Sequence, residues 1–118
     1  MEIIGIGTDI VEVNRMKRFL ERESLGAMAF NQQEIDYACK HKDPLPYLAA
    51  RFAVKESIIK ILGSVTIKAA RDILVLERGK VTLFGDARKT MDKMGIKEFK
   101  VSISHEKEYA LAFVIGVG

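Results

Sequence analysis

Residues 44–63 read PLPYLAARFAVKESIIKILG. Pro44 and Pro46 suit the first turn of a helix, where a missing N–H breaks no bond, and Gly63 suits its stop. Leu48, Phe52, Ile58, Ile59 and Leu62 make the segment mostly apolar, which predicts the central helix of a small core. Upstream, EIIGIGTDIVEV at 2–13 is rich in β-branched residues and reads as a strand interrupted by Gly5 and Gly7. Asn14 is placed to cap a helix over about 15–24, with Met16, Phe19 and Leu20 on one apolar stripe. The other face of that helix carries Arg15, Lys17, Arg18 and Arg22. Asn31-Gln32-Gln33-Glu34 has the form of a capping box, with Phe30 as a hydrophobic staple, and opens a helix reaching His41 or Lys42. Downstream, strands are expected at about 72–77 and 80–84 around an Arg78-Gly79 turn, then a short helix near 86–94 stopped by Gly95. Two final strands, about 98–104 and 109–117, flank His105-Glu106-Lys107-Glu108. Strand, three helices, two strands, helix, two strands, with hairpin-like spacing, predicts an α+β fold: a small antiparallel sheet packed around a long central helix.

The chain has 118 residues, fewer than the roughly 150 of an average domain, so one domain over 1–118 is expected. Hydrophobic residues make up 48% and charged residues 30%, with only 2 Pro, which excludes a disordered or low-complexity chain. No apolar run approaches the ~20 residues of a membrane span. Met1-Glu2-Ile3-Ile4 lacks a basic segment followed by an apolar stretch, so a cytoplasmic protein is expected. The lone Cys39 excludes an intramolecular disulfide and a cysteine-cluster zinc site. A net charge of +3 is compatible with an acidic partner or a phosphate-rich ligand. It is too small to argue for nucleic acid.

Three segments have the residue types that chemistry needs. Gly5-Ile6-Gly7-Thr8-Asp9 begins like a dinucleotide fingerprint, but the third glycine would fall at Ile10 and no helix follows, so that reading fails. What remains is Asp9, a carboxylate inside an apolar strand, where aspartate is disfavoured. It is either exposed at an edge or kept for a purpose such as a metal. On the central helix, Phe52, Glu56 and Lys60 share a face at i,i+4 steps, and Arg51 and Lys55 share an adjoining one. They form either an ordinary surface ion pair or a carboxylate with three cations converging on a phosphate-bearing ligand. In Val101-Ser102-Ile103-Ser104-His105, alternation puts both serines on one face with His105 at the strand's end. The Gly-x-Ser-x-Gly elbow of a hydrolase is absent. A hydrogen-bonding turn histidine and a histidine that meets a phosphate both remain open.

Together, GIGTDIVEVNR at 5–15, RFAVKESIIKILG at 51–63 and VSISHEKEYALAF at 101–113 resemble the holo-acyl-carrier-protein synthases, the short-chain 4′-phosphopantetheinyl transferases. The resemblance runs essentially end to end. It implies transfer of the phosphopantetheine arm of coenzyme A to a serine of acyl carrier protein, for fatty acid biosynthesis, with release of adenosine 3′,5′-bisphosphate. It also implies Mg²⁺ and a homotrimer with active sites between subunits. By position, Asp9 and Glu56 would be the metal ligands, and Glu56 and Lys60 the catalytic pair. Arg51, Lys60, Ser104 and His105 would meet coenzyme A. Arg15, Arg18, Arg22 and Phe52 would form the docking surface for the carrier protein. The serine proton would go to metal-bound water or to a carboxylate such as Glu34 or Asp36.

Three departures from the family pattern stand out. The glycine-rich stretch expected after the central helix reads Gly63-Ser64-Val65-Thr66-Ile67-Lys68, with Lys68 a substitute for some of its contacts. Glu106 stands where Thr or Ser is usual, and Asn31 where Thr is usual; asparagine caps equally well. A non-catalytic module that keeps a nucleotide or carrier surface is the rival from another class. Nucleic-acid binding is a third reading, and it predicts a steep salt dependence.

Overall fold

The computed structural model describes residues 1–63 and 70–118. Strand β1 (Ile3–Glu12) leads through a 3₁₀ turn (Val13–Met16) into two short helices, α1 (Lys17–Glu21) and α2 (Glu23–Ala29). Helix α3 (Gln32–Cys39) and the long α4 (Leu45–Leu62) follow. Then come β2 (Ile73–Val75), β3 (Val81–Leu83), α5 (Gly85–Lys93), β4 (Glu98–His105) and β5 (Tyr109–Val117). The α+β architecture is as expected. Its strands form two antiparallel sheets, one of order β1-β5-β4 and a separate β2-β3 hairpin. None of the described helices is long and apolar enough to cross a membrane.

Helix α4 lies on the β1 and β5 side of the larger sheet and buries Leu48, Ala49, Ala53, Val54 and Ile58 completely. Gly7 sets the distance. A Cβ there would stand 2.1 Å from the carbonyl oxygen of Ser57, so only a glycine lets helix backbone and strand backbone come this close. The glycines that interrupt the N-terminal strand are therefore packing devices.

Two sequence expectations needed correction near the N-terminus. The single helix over 15–24 is instead the 3₁₀ turn, α1 and α2, broken at Arg22 (φ −119°, ψ 99°). Asn14 sits inside the 3₁₀ turn and caps nothing; the turn's leading residue, Glu12, makes no side-chain cap either. Met16 and Phe19 are buried as expected, but Leu20 is exposed. Helix α2 folds back so closely on α1 that a Cβ on Gly26 would meet the Phe19 carbonyl oxygen at 2.4 Å. Its ESLGAMA run is mostly strong helix formers, and Gly26, the one poor former, is the residue that allows the close packing. The capping box at Asn31 forms, with the Asn31 N–H donating to Glu34 Oε1 at 2.8 Å. Arg78 and Gly79 turn the β2-β3 connection with positive φ at both residues (61° and 72°), as a tight hairpin requires.

Candidate functional site

Strand alternation puts Asp9 on the same side of β1 as Gly7 and Val11, facing α4. Because Gly7 lets the helix in, Asp9 meets the α4 turn that carries Glu56 and Lys60 one step apart. The Lys60 ammonium donates to Asp9 Oδ1 at 3.2 Å and to the Thr8 carbonyl oxygen at 2.8 Å. Glu56 is half-buried beside them. Its burial, reinforced by the negative charge of Asp9, pushes the Glu56 carboxyl above its ordinary range, while Lys60 and Arg15 pull it back. Asp9, Glu56, Lys60 and Arg15 therefore form one electrostatic neighbourhood, built from a strand, a helix and the 3₁₀ turn.

The donor set is two carboxylates and a backbone carbonyl, all hard oxygens. Among the described residues, no group of three or more His, Cys, Asp and Glu side chains converges. A zinc-type cage is thus not formed, and the pair matches Mg²⁺, which takes one or two carboxylates and completes its shell with substrate phosphates and water.

The three helix cations do not converge. Lys60 points to β1. Lys55 is fully buried, with its ammonium 2.7 Å from Glu34 Oε1 and 2.8 Å from the Ala70 carbonyl oxygen. Burial pulls its pKa below the ordinary lysine range, against the pull of Glu34. Glu34 Oε2 accepts the Val75 N–H at 2.9 Å, so this carboxylate joins α3, α4 and β2, and both its oxygens are engaged by internal donors. Glu34 is thereby corrected from candidate base to structural keystone. Asp36 is exposed on α3 and accepts a bond from Gln32.

Arg51 is also buried. Its guanidinium lies 4.4 Å from the Tyr37 ring centre, and its Nε has no partner among the described residues. It lines a cavity of about 320 Å³ with Tyr37, Lys40 and Asp36. His105 is exposed at the end of β4, 5.7 Å from the Tyr47 ring, which stacks on His41 at 3.6 Å. These rings, with Lys42 and Lys107, line a second cavity of about 550 Å³. Ser104 faces outward on the sheet's open side, in the row Ile10, Leu111, Ser104. Since β1 and β4 are the two edges of the sheet, Asp9 and His105 stand on opposite edges, two strand spacings across and two residues along, roughly 12 Å apart.

Arg15, Arg18 and Arg22 are exposed on the segment after β1. Phe52 packs against Phe19 and Phe30 at centroid distances of 5.5 and 6.2 Å, so it supports that segment from beneath. Lys68 lies outside the described residues. Sequence reading missed the Thr8 carbonyl, which has no side-chain signal, and the His41–Tyr47 stack. A lysine and a glutamate inside otherwise apolar or capping contexts were the available signal for the Lys55–Glu34 pair.

The 4′-phosphopantetheinyl transferase superfamily model matches residues 5–114. A holo-(acyl-carrier-protein) synthase of Caldanaerobacter subterraneus is 42% identical over 100% of this chain and 97% of its own length. The crystal structure of the Neisseria meningitidis synthase superposes with a TM-score of 0.79 at 31% identity, covering 99% of this chain and 100% of that one. That of the Helicobacter pylori synthase in complex with coenzyme A gives 0.71 at 28% identity, covering 95% and 99%. Sequence, fold and the full span of the match lead to one conclusion: this chain belongs to the 4′-phosphopantetheinyl transferase superfamily.

Proposed function

We propose that the chain is a single-domain holo-acyl-carrier-protein synthase, moving 4′-phosphopantetheine from coenzyme A to a serine of apo-acyl carrier protein. The observation that carries this reading is the joining of Asp9, Glu56 and Lys60 by the close packing of β1 on α4. The serine hydroxyl gives its proton to water as its oxygen bonds the phosphorus that bears pantetheine, and the bond from that phosphorus to the bridging oxygen breaks. Adenosine 3′,5′-bisphosphate leaves. Asp9 and Glu56 would hold Mg²⁺, which when bound supplies charge neutralisation at the diphosphate. Lys60 reaches a phosphate oxygen from the same helix face. Such transfers depend on positioning and electrostatics, so the chain needs no nucleophile of its own.

Arg51, Ser104 and His105 complete the coenzyme A contacts in this reading, and Arg15, Arg18 and Arg22 steer an acidic carrier protein, with Phe52 behind them. Two features support a homotrimer with sites between subunits. The Asp9 and His105 groups occupy opposite sheet edges, so one protomer presents two halves that a second copy would bring together. The outer sheet face is apolar and open, with Ile6 63%, Ile10 60% and Phe113 43% exposed beside Leu111 and Tyr109. A face of this kind is a natural subunit interface. The cytoplasm and fatty acid biosynthesis are the setting that this reaction implies.

The test is a mass measurement. Purified protein with Mg²⁺, coenzyme A and apo-acyl carrier protein should add one phosphopantetheine group to the carrier, and Asp9→Ala or Glu56→Ala should abolish the gain. Metal-independent coenzyme A binding with no gain on several acidic carriers would instead favour a non-catalytic module.

A further inference from the structure

Lys60 is asked to serve two partners. Its ammonium bridges Asp9 Oδ1 and the Thr8 carbonyl oxygen, yet its side chain is 54% exposed and only a few torsions from open solvent. A divalent cation on Asp9 and Glu56 meets that ammonium whichever carboxylate oxygen it takes. If it takes Oδ1, it must displace a hydrogen-bonded donor. If it takes the other oxygen, it is left beside a positive charge at a distance where repulsion is weakly screened. A diphosphate reverses the balance, because it brings acceptors for the ammonium and negative charge for the cation at once.

Resting on the transferase reading above, we propose that Lys60 makes the Asp9–Glu56 pair reject a bare divalent cation and accept one together with a diphosphate. The lysine acts as a built-in counter-ion that is released only when a phosphate is present to receive it. The exposure of its stem keeps the exchange cheap, since one solvent-facing ion pair is all that is broken. The Thr8 carbonyl fixes where the ammonium waits, one helical turn beyond Glu56 and within reach of whatever Glu56 helps to hold. The consequence is thermodynamic coupling: cation and diphosphate each tighten the other through Lys60, in addition to any direct contact between them.

The test uses Mn²⁺ alone, counted by the loss of its free electron-spin resonance signal at low ionic strength, on the full chain. Lys60→Met should bind Mn²⁺ about five-fold tighter than the wild type, the ceiling for one exposed ion pair, while Lys60→Arg stays within about two-fold. Adding coenzyme A should tighten Mn²⁺ by a larger factor in the wild type than in Lys60→Met. Equal or weaker Mn²⁺ binding by Lys60→Met overturns the inference. Asp9→Asn separates the two levels. If it loses Mn²⁺ while Lys60→Met merely matches the wild type, the cation site stands and the lysine's role falls. If Mn²⁺ binds none of these proteins even with coenzyme A present, both fall.

Discussion

Replacing Gly7 by alanine is the sharpest way to perturb the site without touching a polar atom. The new methyl would sit 2.1 Å from the Ser57 oxygen, 2.9 Å from its carbonyl carbon and 3.2 Å from Ile61 Cγ1. The first two obstacles are helix backbone, which no rotamer change can move. Ordinary contact begins near 3.4 Å, so α4 must retreat from β1 by about an ångström. Overpacking of this kind costs typically 1–3 kcal/mol, and the upper end, about 3 kcal/mol, fits an obstacle made of backbone. For a chain this size that is a fall in melting temperature of roughly 10 °C. The displacement is centred between Asp9, two residues on, and Glu56, next to Ser57. A misplacement of about an ångström costs on the order of 100-fold in rate, so transfer should fall that far well below the melting temperature. Gly63 is the stability control. With φ at +80° and nothing within 4 Å of its Cβ position among the described residues, Gly63→Ala meets there only backbone strain of about 1–3 kcal/mol. Thermal unfolding by circular dichroism, with phosphopantetheine transfer followed by mass, reads both effects. A Gly7→Ala protein melting within about 2 °C of the wild type and transferring normally would refute the claim that this contact sets the site.

Other consequences are as specific. Glu34→Gln or Lys55→Met leaves a buried charge unpaired and should destabilise the fold by about 3–5 kcal/mol in denaturant titrations, whereas the Glu34→Gln/Lys55→Met double variant, which removes both charges and keeps an acceptor for the backbone, should recover part of that loss. The Glu56 carboxyl is held above its usual 4.5, so as pH rises the unfolded chain releases this proton first. Its contribution to stability is complete below the unfolded value and is lost as pH climbs through the folded one. In cation-free buffer Glu56→Gln should therefore melt higher than the wild type near neutral pH, and a melting difference that does not shrink on acidification would contradict this. With coenzyme A present, Mg²⁺ should raise the melting temperature of the wild type further and leave Asp9→Asn unmoved by that addition. Ile10→Lys or Phe113→Glu on the open sheet face should lower the mass seen by light scattering and lower transfer with it.

The sequence told most where one residue's identity carried the structural meaning. The proline-led, glycine-stopped α4, the capping box at Asn31 and the Arg78-Gly79 turn all form where local chemistry places them. Local signals failed where tertiary contact overrode them. The α1–α2 break at Arg22 exists because Gly26 packs on a carbonyl two turns earlier, and nothing in ESLGAMA announces that. Two adjoining i,i+4 series, Glu56 with Lys60 and Arg51 with Lys55, suggested three cations facing one ligand. Spacing fixes only the direction in which a side chain leaves its helix, and the neighbours decide the rest: Glu34 draws Lys55 inward, Tyr37 covers Arg51, and Asp9 takes Lys60. The Thr8 carbonyl could not have been found at all, since every residue has one. Separation of Asp9 and His105 onto opposite edges follows from the β1-β5-β4 order, which the hairpin spacing left open.

The most direct measurement is a crystal of this chain grown with Mn²⁺ and coenzyme A, examined by anomalous scattering. One strong peak is expected at about 2 Å from oxygens of both Asp9 and Glu56, with a diphosphate oxygen also in contact and the Lys60 ammonium on phosphate. A peak held by other side chains, or Asp9 and Glu56 turned apart into solvent with coenzyme A bound, would contradict it.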